Sequence, residues 1–117
     1  MLKTIAAASV VTLITAMSGP SASMQEVRTF VPSPEAVEAP PAEYDRIPGA
    51  PFVVIVGTPY QVHIACGGQP PPTRYIVMAC TFMPRRVIVM PHCTPDQDAY
   101  CGKLLRHEKA HLNGWVH

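Results

Sequence analysis

The residues His107-Glu108-Lys109-Ala110-His111-Leu112-Asn113-Gly114-Trp115-Val116-His117 have the form H-E-x-x-H-x-x-G-x-x-H. On a helix, His107 and His111 stand one turn apart, so both imidazoles reach one ion. Two imidazoles suit zinc and leave room for a third ligand and a water. Glu108 sits beside the first ligand, aimed at a zinc-activated water rather than at the metal. A carboxylate there can take the water's proton as the water attacks a carbonyl, then pass it to the leaving amine. Zinc brings the pKa of such a water to about 7, so hydroxide is available at neutral pH. Gly114 lets the backbone reverse, and His117 returns as the third ligand. The expected site is therefore Glu108 as catalytic residue, His107, His111 and His117 as metal ligands, and Zn2+ as cofactor.

A helix must hold these residues, and its start is well marked. Thr94-Pro95-Asp96-Gln97 places Thr at the N-cap, Pro at the first helical position, an acid in the first turn and Gln at the capping-box position. Tyr100, Leu104, His107, Glu108 and His111 then form one stripe of a 3.6-residue helix, widened by Cys101, Leu105 and Leu112. Lys103, Arg106 and Lys109 take the opposite, solvated face. Asn113-Gly114 ends the helix, because Gly adopts the left-handed C′ conformation without steric cost.

Strands are predicted ahead of the helix. Phe52 to Val56 is a β-branched run of the kind buried on both faces. Tyr60 to Ala65 alternates, which predicts a strand with one buried face and His63 at the surface. Cys66 to Pro72 reads as a loop. Arg74–Met83 and Arg86–Met90 read as an antiparallel hairpin, since their connection is too short for a parallel crossover. Met residues here are core filler. The order implies an α+β fold: a small, mostly antiparallel sheet of about four strands packed against one long C-terminal helix.

The 117 residues allow one domain. Lys3, the apolar run Ile5–Met17 and the small residues Ser21-Ala22-Ser23 predict a signal peptide over 1–23. The apolar run is too short for a comfortable membrane span, so no stable span is expected after cleavage. Residues 24–50, rich in Pro, Glu and Ala, read as a disordered linker. The folded α+β domain is then expected over 51–117. Nine Lys and Arg face eight Asp and Glu, and loss of Lys3 leaves eight against eight. That balance argues against nucleic acid or an anionic membrane as partner. Cys66, Cys80, Cys93 and Cys101, an even count behind a signal peptide, read as two disulfides. Three pairings exist; Cys66–Cys80 with Cys93–Cys101 is favoured because each closes a short loop.

At residues 107–117 the chain resembles the zincin metallopeptidases, and the extended motif resembles that of metzincins. Leu105 to Trp115 is also similar to small secreted bacterial proteins ending in an H-E-x-x-H-x-N-G-W helix. The resemblance implies zinc on His107, His111 and His117 and Glu108 as general base. It covers about eleven residues. Two metzincin features have no counterpart: the methionine-containing turn after the third histidine, and the second subdomain that walls the substrate cleft. In zincins an edge strand beside the active-site helix binds the substrate backbone; by analogy 86–90 is the candidate. Tyr60, Tyr75, Tyr100 and Arg106 are candidate oxyanion donors.

The leading functional reading is a secreted or periplasmic zinc-dependent metallopeptidase or amidase acting on peptide or protein substrates, including those of the cell envelope. The alternative is a non-catalytic zinc-binding or disulfide-stapled module assisting an envelope or secretion assembly. The blandest reading is a stapled domain whose histidines bind nothing.

Overall fold

β-branched runs and two Thr-Pro-x-Gln segments dictate the architecture seen in the computed structural model, which describes residues 11–12 and 33–117. The expected signal peptide lies outside these residues except for Val11 and Thr12, and 24–32 lie outside them as well. In chain order the elements are β1 (Val11–Thr12), β2 (Val53–Gly57), α1 (Pro59–Ala65), β3 (Cys80–Phe82), β4 (Val87–Pro91) and α2 (Asp98–Leu112). The sheet runs β1-β2-β4-β3.

The α+β class holds, but the sheet is mixed rather than mostly antiparallel. β2 and β4 pair in parallel, Val54 beside Ile88 and Ile55 beside Val89. β1 is also parallel to β2. Only β3 and β4 are antiparallel, with Thr81 opposite Ile88, as the short connection requires. The cause lies in the segment expected to be a second strand. Pro59–Ala65 is a helix, and it opens the long connection that a parallel pair needs. Thr58 caps it: its hydroxyl accepts from the Gln61 N–H at 3.1 Å, and its own N–H donates to Gln61 Oε1 at 2.9 Å.

The long strand expected over 74–83 is reduced to β3. Val77 donates its backbone N–H to His63 Nδ1 at 3.0 Å instead of joining the sheet. His63 is fully buried, not a surface residue. Its Nε2 lies 2.7 Å from the Gln69 carbonyl. Because Nδ1 accepts, Nε2 carries the hydrogen and donates, so the ring is neutral with both nitrogens satisfied. A Cβ on Gly68 would sit 2.2 Å from the ring's Cε1, so glycine is required there.

Side chains alternate across β4. Ile88 and Met90 face a cluster with Phe52, Val54, Tyr100 and Leu104, while Val89 faces the other way; all three are buried. Both faces of this strand are therefore covered. Met78 and Met90 pack in the core as filler. Burial pushes the Tyr100 phenol up to about 12. Two disulfides link Cys66 to Cys80 and Cys93 to Cys101, across Cα separations of 5.8 and 6.4 Å. The favoured pairing is thus the one formed. The first ties α1 to β3, and the second ties the segment after β4 to the first turn of α2.

The described part of the expected linker, residues 33–50, is docked on the helix rather than free, with most of its residues exposed. It forms a strap with two short 3-10 turns, Pro34–Ala36 and Ala42–Tyr44, laid along α2. Val37 enters the main core. Arg106 forks onto the Asp45 carboxylate, which holds Asp45 below the usual carboxylate range and raises Arg106. The helix face expected to be solvated is partly the strap's seat.

Candidate metal centre

The helix that presents the site begins as the capping motif predicts. The Thr94 N–H donates to Gln97 Oε1 at 3.0 Å, and a 3-10 turn over Pro95–Gln97 leads into α2. Tyr100, Leu104, Glu108 and Leu112 are buried, which fixes the rotation of the helix over the sheet. His107 and His111 then fall at the boundary between core and solvent.

The helix ends in a Schellman motif. The Trp115 N–H donates to the Ala110 carbonyl at 3.1 Å and the Gly114 N–H to His111 at 3.0 Å, with Gly114 at φ +104°. Asn113 donates from its side-chain amide to the carbonyls of Tyr44 and Arg46 on the strap, at 2.9 and 2.8 Å. The reversal has two consequences. It brings the Trp115 carbonyl within 2.7 Å of His111 Nδ1. It also carries His117 back over the helix, with its Nε2 3.2 Å from His107 Nε2.

One potential ligand atom from each of His107, His111 and His117 lies within 4.8 Å of the other two. The tautomers of the first two follow from their partners. His107 Nδ1 is 2.7 Å from the Glu38 carbonyl on the strap. A carbonyl only accepts, so Nδ1 carries the hydrogen in His107, and likewise in His111 against Trp115. In the neutral ring this tautomer leaves the Nε2 lone pair free, as metal ligation requires. Two nitrogens on one tetrahedral zinc stand about 3.3 Å apart, close to the 3.2 Å between His107 and His117. The three imidazoles, whose ligand atoms all lie within 4.8 Å of one another, could therefore hold a metal ion.

Trp115 underlies the cluster. Its ring stacks on His111 at 4.8 Å with 8° between planes, and meets His107 and His117 edge-on at 4.8 and 4.9 Å. It is the chain's one tryptophan, and it is buried.

Glu108 is 5% exposed. The Thr81 hydroxyl on β3 donates to its Oε1 at 2.7 Å, with the Glu108 carbonyl oxygen also in reach at 3.1 Å. Thr81 was not legible as a site residue in the sequence. Its only signal was a place in a strand, and nothing local tied it to a helix 27 residues on. β3 is the edge strand beside the site, whereas the strand 87–91, expected in that role, lies inside the sheet between β2 and β3.

Two hollows meet at this cluster. One, of about 510 Å³, runs past Thr81, Met83, Trp115 and Val116. The other, of about 230 Å³, lies between the strap at Ala36–Glu38 and Met78. Ala79, His107, Glu108 and His117 line both. None of Tyr60, Tyr75, Tyr100 and Arg106 lines either: Tyr60 and Tyr100 are buried elsewhere, Tyr75 is exposed, and Arg106 is held by Asp45.

Among the described residues no helix is long and apolar enough to cross a membrane. The two disulfides fit an oxidising compartment. Comparison with protein-family models, with curated proteins and with solved structures finds no match to this chain.

Proposed function

We propose that the chain is a secreted or periplasmic zinc-dependent metallopeptidase or amidase. The observation that supports this most is the convergence on one cleft of three imidazoles, two with Nδ1–H committed to carbonyls, and a buried carboxylate. His107, His111 and His117 would hold the metal. When bound, zinc supplies Lewis acidity and a water that ionises near neutral pH. The rest falls to the chain. The carbonyls of Glu38 and Trp115 lock two ligand rings in orientation. Thr81 engages Oε1 of Glu108, which leaves Oε2 to take a proton from the attacking water and return it to the leaving amine.

The two hollows favour cleavage within a chain. An extended peptide crossing the cleft would pass from the strap side, past Glu108, to the Met83–Val116 side. The substrate class is then a peptide or protein of the cell envelope with small or apolar residues around the cleaved bond, matching the Ala, Val and Met linings.

The test is turnover of a peptide library blocked at both ends by zinc-loaded protein and by Glu108→Gln. The proposal expects cleavage by the former, at least about a hundredfold less by the latter, and zinc bound to both. Zinc binding without any cleavage that Glu108→Gln abolishes would leave the non-catalytic zinc module as the reading.

A further inference from the structure

The strap reaches the metal centre itself. Besides the Lys103 ammonium on the Pro34 carbonyl, four contacts hold residues 33–46 on α2, and three of them lie away from the ligands. Val37 inserts into the core. Asp45 pairs with Arg106. Asn113 holds the carbonyls of Tyr44 and Arg46. The fourth is the Glu38 carbonyl on His107 Nδ1, at 2.7 Å. That carbonyl selects the tautomer in which Nε2 faces the cluster. The strap thus supplies to His107 what the C-terminal reversal supplies to His111.

We infer that the strap is a working part of the metal site: its docking and metal binding are coupled, and its release turns the site off. The inference rests on reading His107, His111 and His117 as a metal centre, but not on peptidase activity. With the strap away, His107 loses the acceptor that orients its ring. Loss of such an outer partner typically weakens metal affinity by about 10–100-fold. Coupling is reciprocal, so bound metal must hold the strap down by the same factor. A cut at the exposed Glu38–Ala39 bond would sever the strap at its contact with His107, and so give the envelope a route to shut the site down.

Two measurements on the full chain test this. The first follows cleavage at Glu38–Ala39 by a glutamate-specific protease, with and without zinc. Zinc is expected to slow the cut by about tenfold or more. The second measures zinc affinity by chelator competition in Asp45→Asn and in Asn113→Ala. Each removes a strap anchor without touching a ligand or the Glu38 carbonyl. Each is expected to speed the cut and to weaken zinc by about three- to tenfold. Faster cleavage in both variants with zinc affinity within about twofold of wild type would overturn the inference. So would zinc that leaves the cut rate in wild type unchanged. Wild-type protein that takes up no zinc would overturn both this inference and the metal reading. Coupling without peptide turnover would uphold it and leave the peptidase proposal alone to fall.

Discussion

His63 and His107 are the same residue type on two helices that begin alike, Thr58-Pro59-Tyr60-Gln61 and Thr94-Pro95-Asp96-Gln97. Their uses are opposite. In His63 one nitrogen accepts from Val77 and the other donates to Gln69, both within the fold. Nothing is left over, so the ring is a buried strut between α1 and the following loops. In His107 only Nδ1 is spent, on Glu38, and Nε2 meets His117. His111 follows the same rule through Trp115. What separates the structural histidine from the candidate metal ligands here is whether both ring nitrogens are spent on the backbone.

The contrast can be broken most decisively by substitution. His111→Ala should weaken zinc by at least about a thousandfold, near 4 kcal/mol of binding energy. His63→Ala should leave zinc within about twofold. Chelator competition on both variants reads the difference; zinc lost equally from both would erase the distinction. The same pair should reverse order in stability. His63→Ala leaves a cavity and two unpaired backbone groups, a cost of about 3 kcal/mol in denaturant unfolding. Gly68→Ala, which drives a methyl into the His63 ring, should cost about 2 kcal/mol and likewise leave zinc untouched.

A smaller effect sharpens the second region. Thr81→Val removes the donor to Glu108 Oε1 while keeping the shape of the side chain. Turnover should fall about tenfold, near 1.4 kcal/mol in the barrier, with zinc retained, and Thr81→Ser should restore most of it. A Thr81→Val protein as active as wild type would make the contact structural only.

The smallest effect is one of pH. Arg106 depresses the Asp45 pKa in the folded state. Stabilisation from a depressed carboxylate is present above its unfolded pKa, about 3.9, and is lost as pH falls through the lower folded value. The strap should therefore stay docked at pH 5 and loosen only as pH falls below the unfolded value. An acid-stable protease cutting the strap would report this, and Asp45→Asn should abolish the dependence.

Legibility in the sequence followed the range of the contacts. α2 was readable because its cap, its apolar stripe and its terminal Asn113-Gly114 are all local. The disulfides were readable because both loops are short. α1 was misread although Thr58, Pro59 and Gln61 carry the same cap. Over seven residues, Tyr60, Val62 and Ile64 fit a period of two, and the segment is too short for a 3.6-residue stripe to outweigh it. The parallel pairing of β2 and β4 depends on that misread helix, so the error propagated to the sheet. The strap was hidden for another reason. Its partners for His107, Asn113 and Lys103 are the backbone carbonyls of Glu38, Tyr44, Arg46 and Pro34. Every residue has such an acceptor, so the sequence marks none of them. At the metal cluster, the fit of His117 depends on where Gly114 and Trp115 turn the chain, and a motif alone cannot supply that.

Zinc content of the purified, disulfide-intact chain, in wild type and in His117→Ala, tests the central claim most directly. A three-imidazole site predicts about one zinc per wild-type chain, with quenching or shift of the Trp115 fluorescence on binding. His117→Ala should retain the metal much more weakly. Wild-type protein with no zinc, or zinc held equally well without His117, would contradict the account.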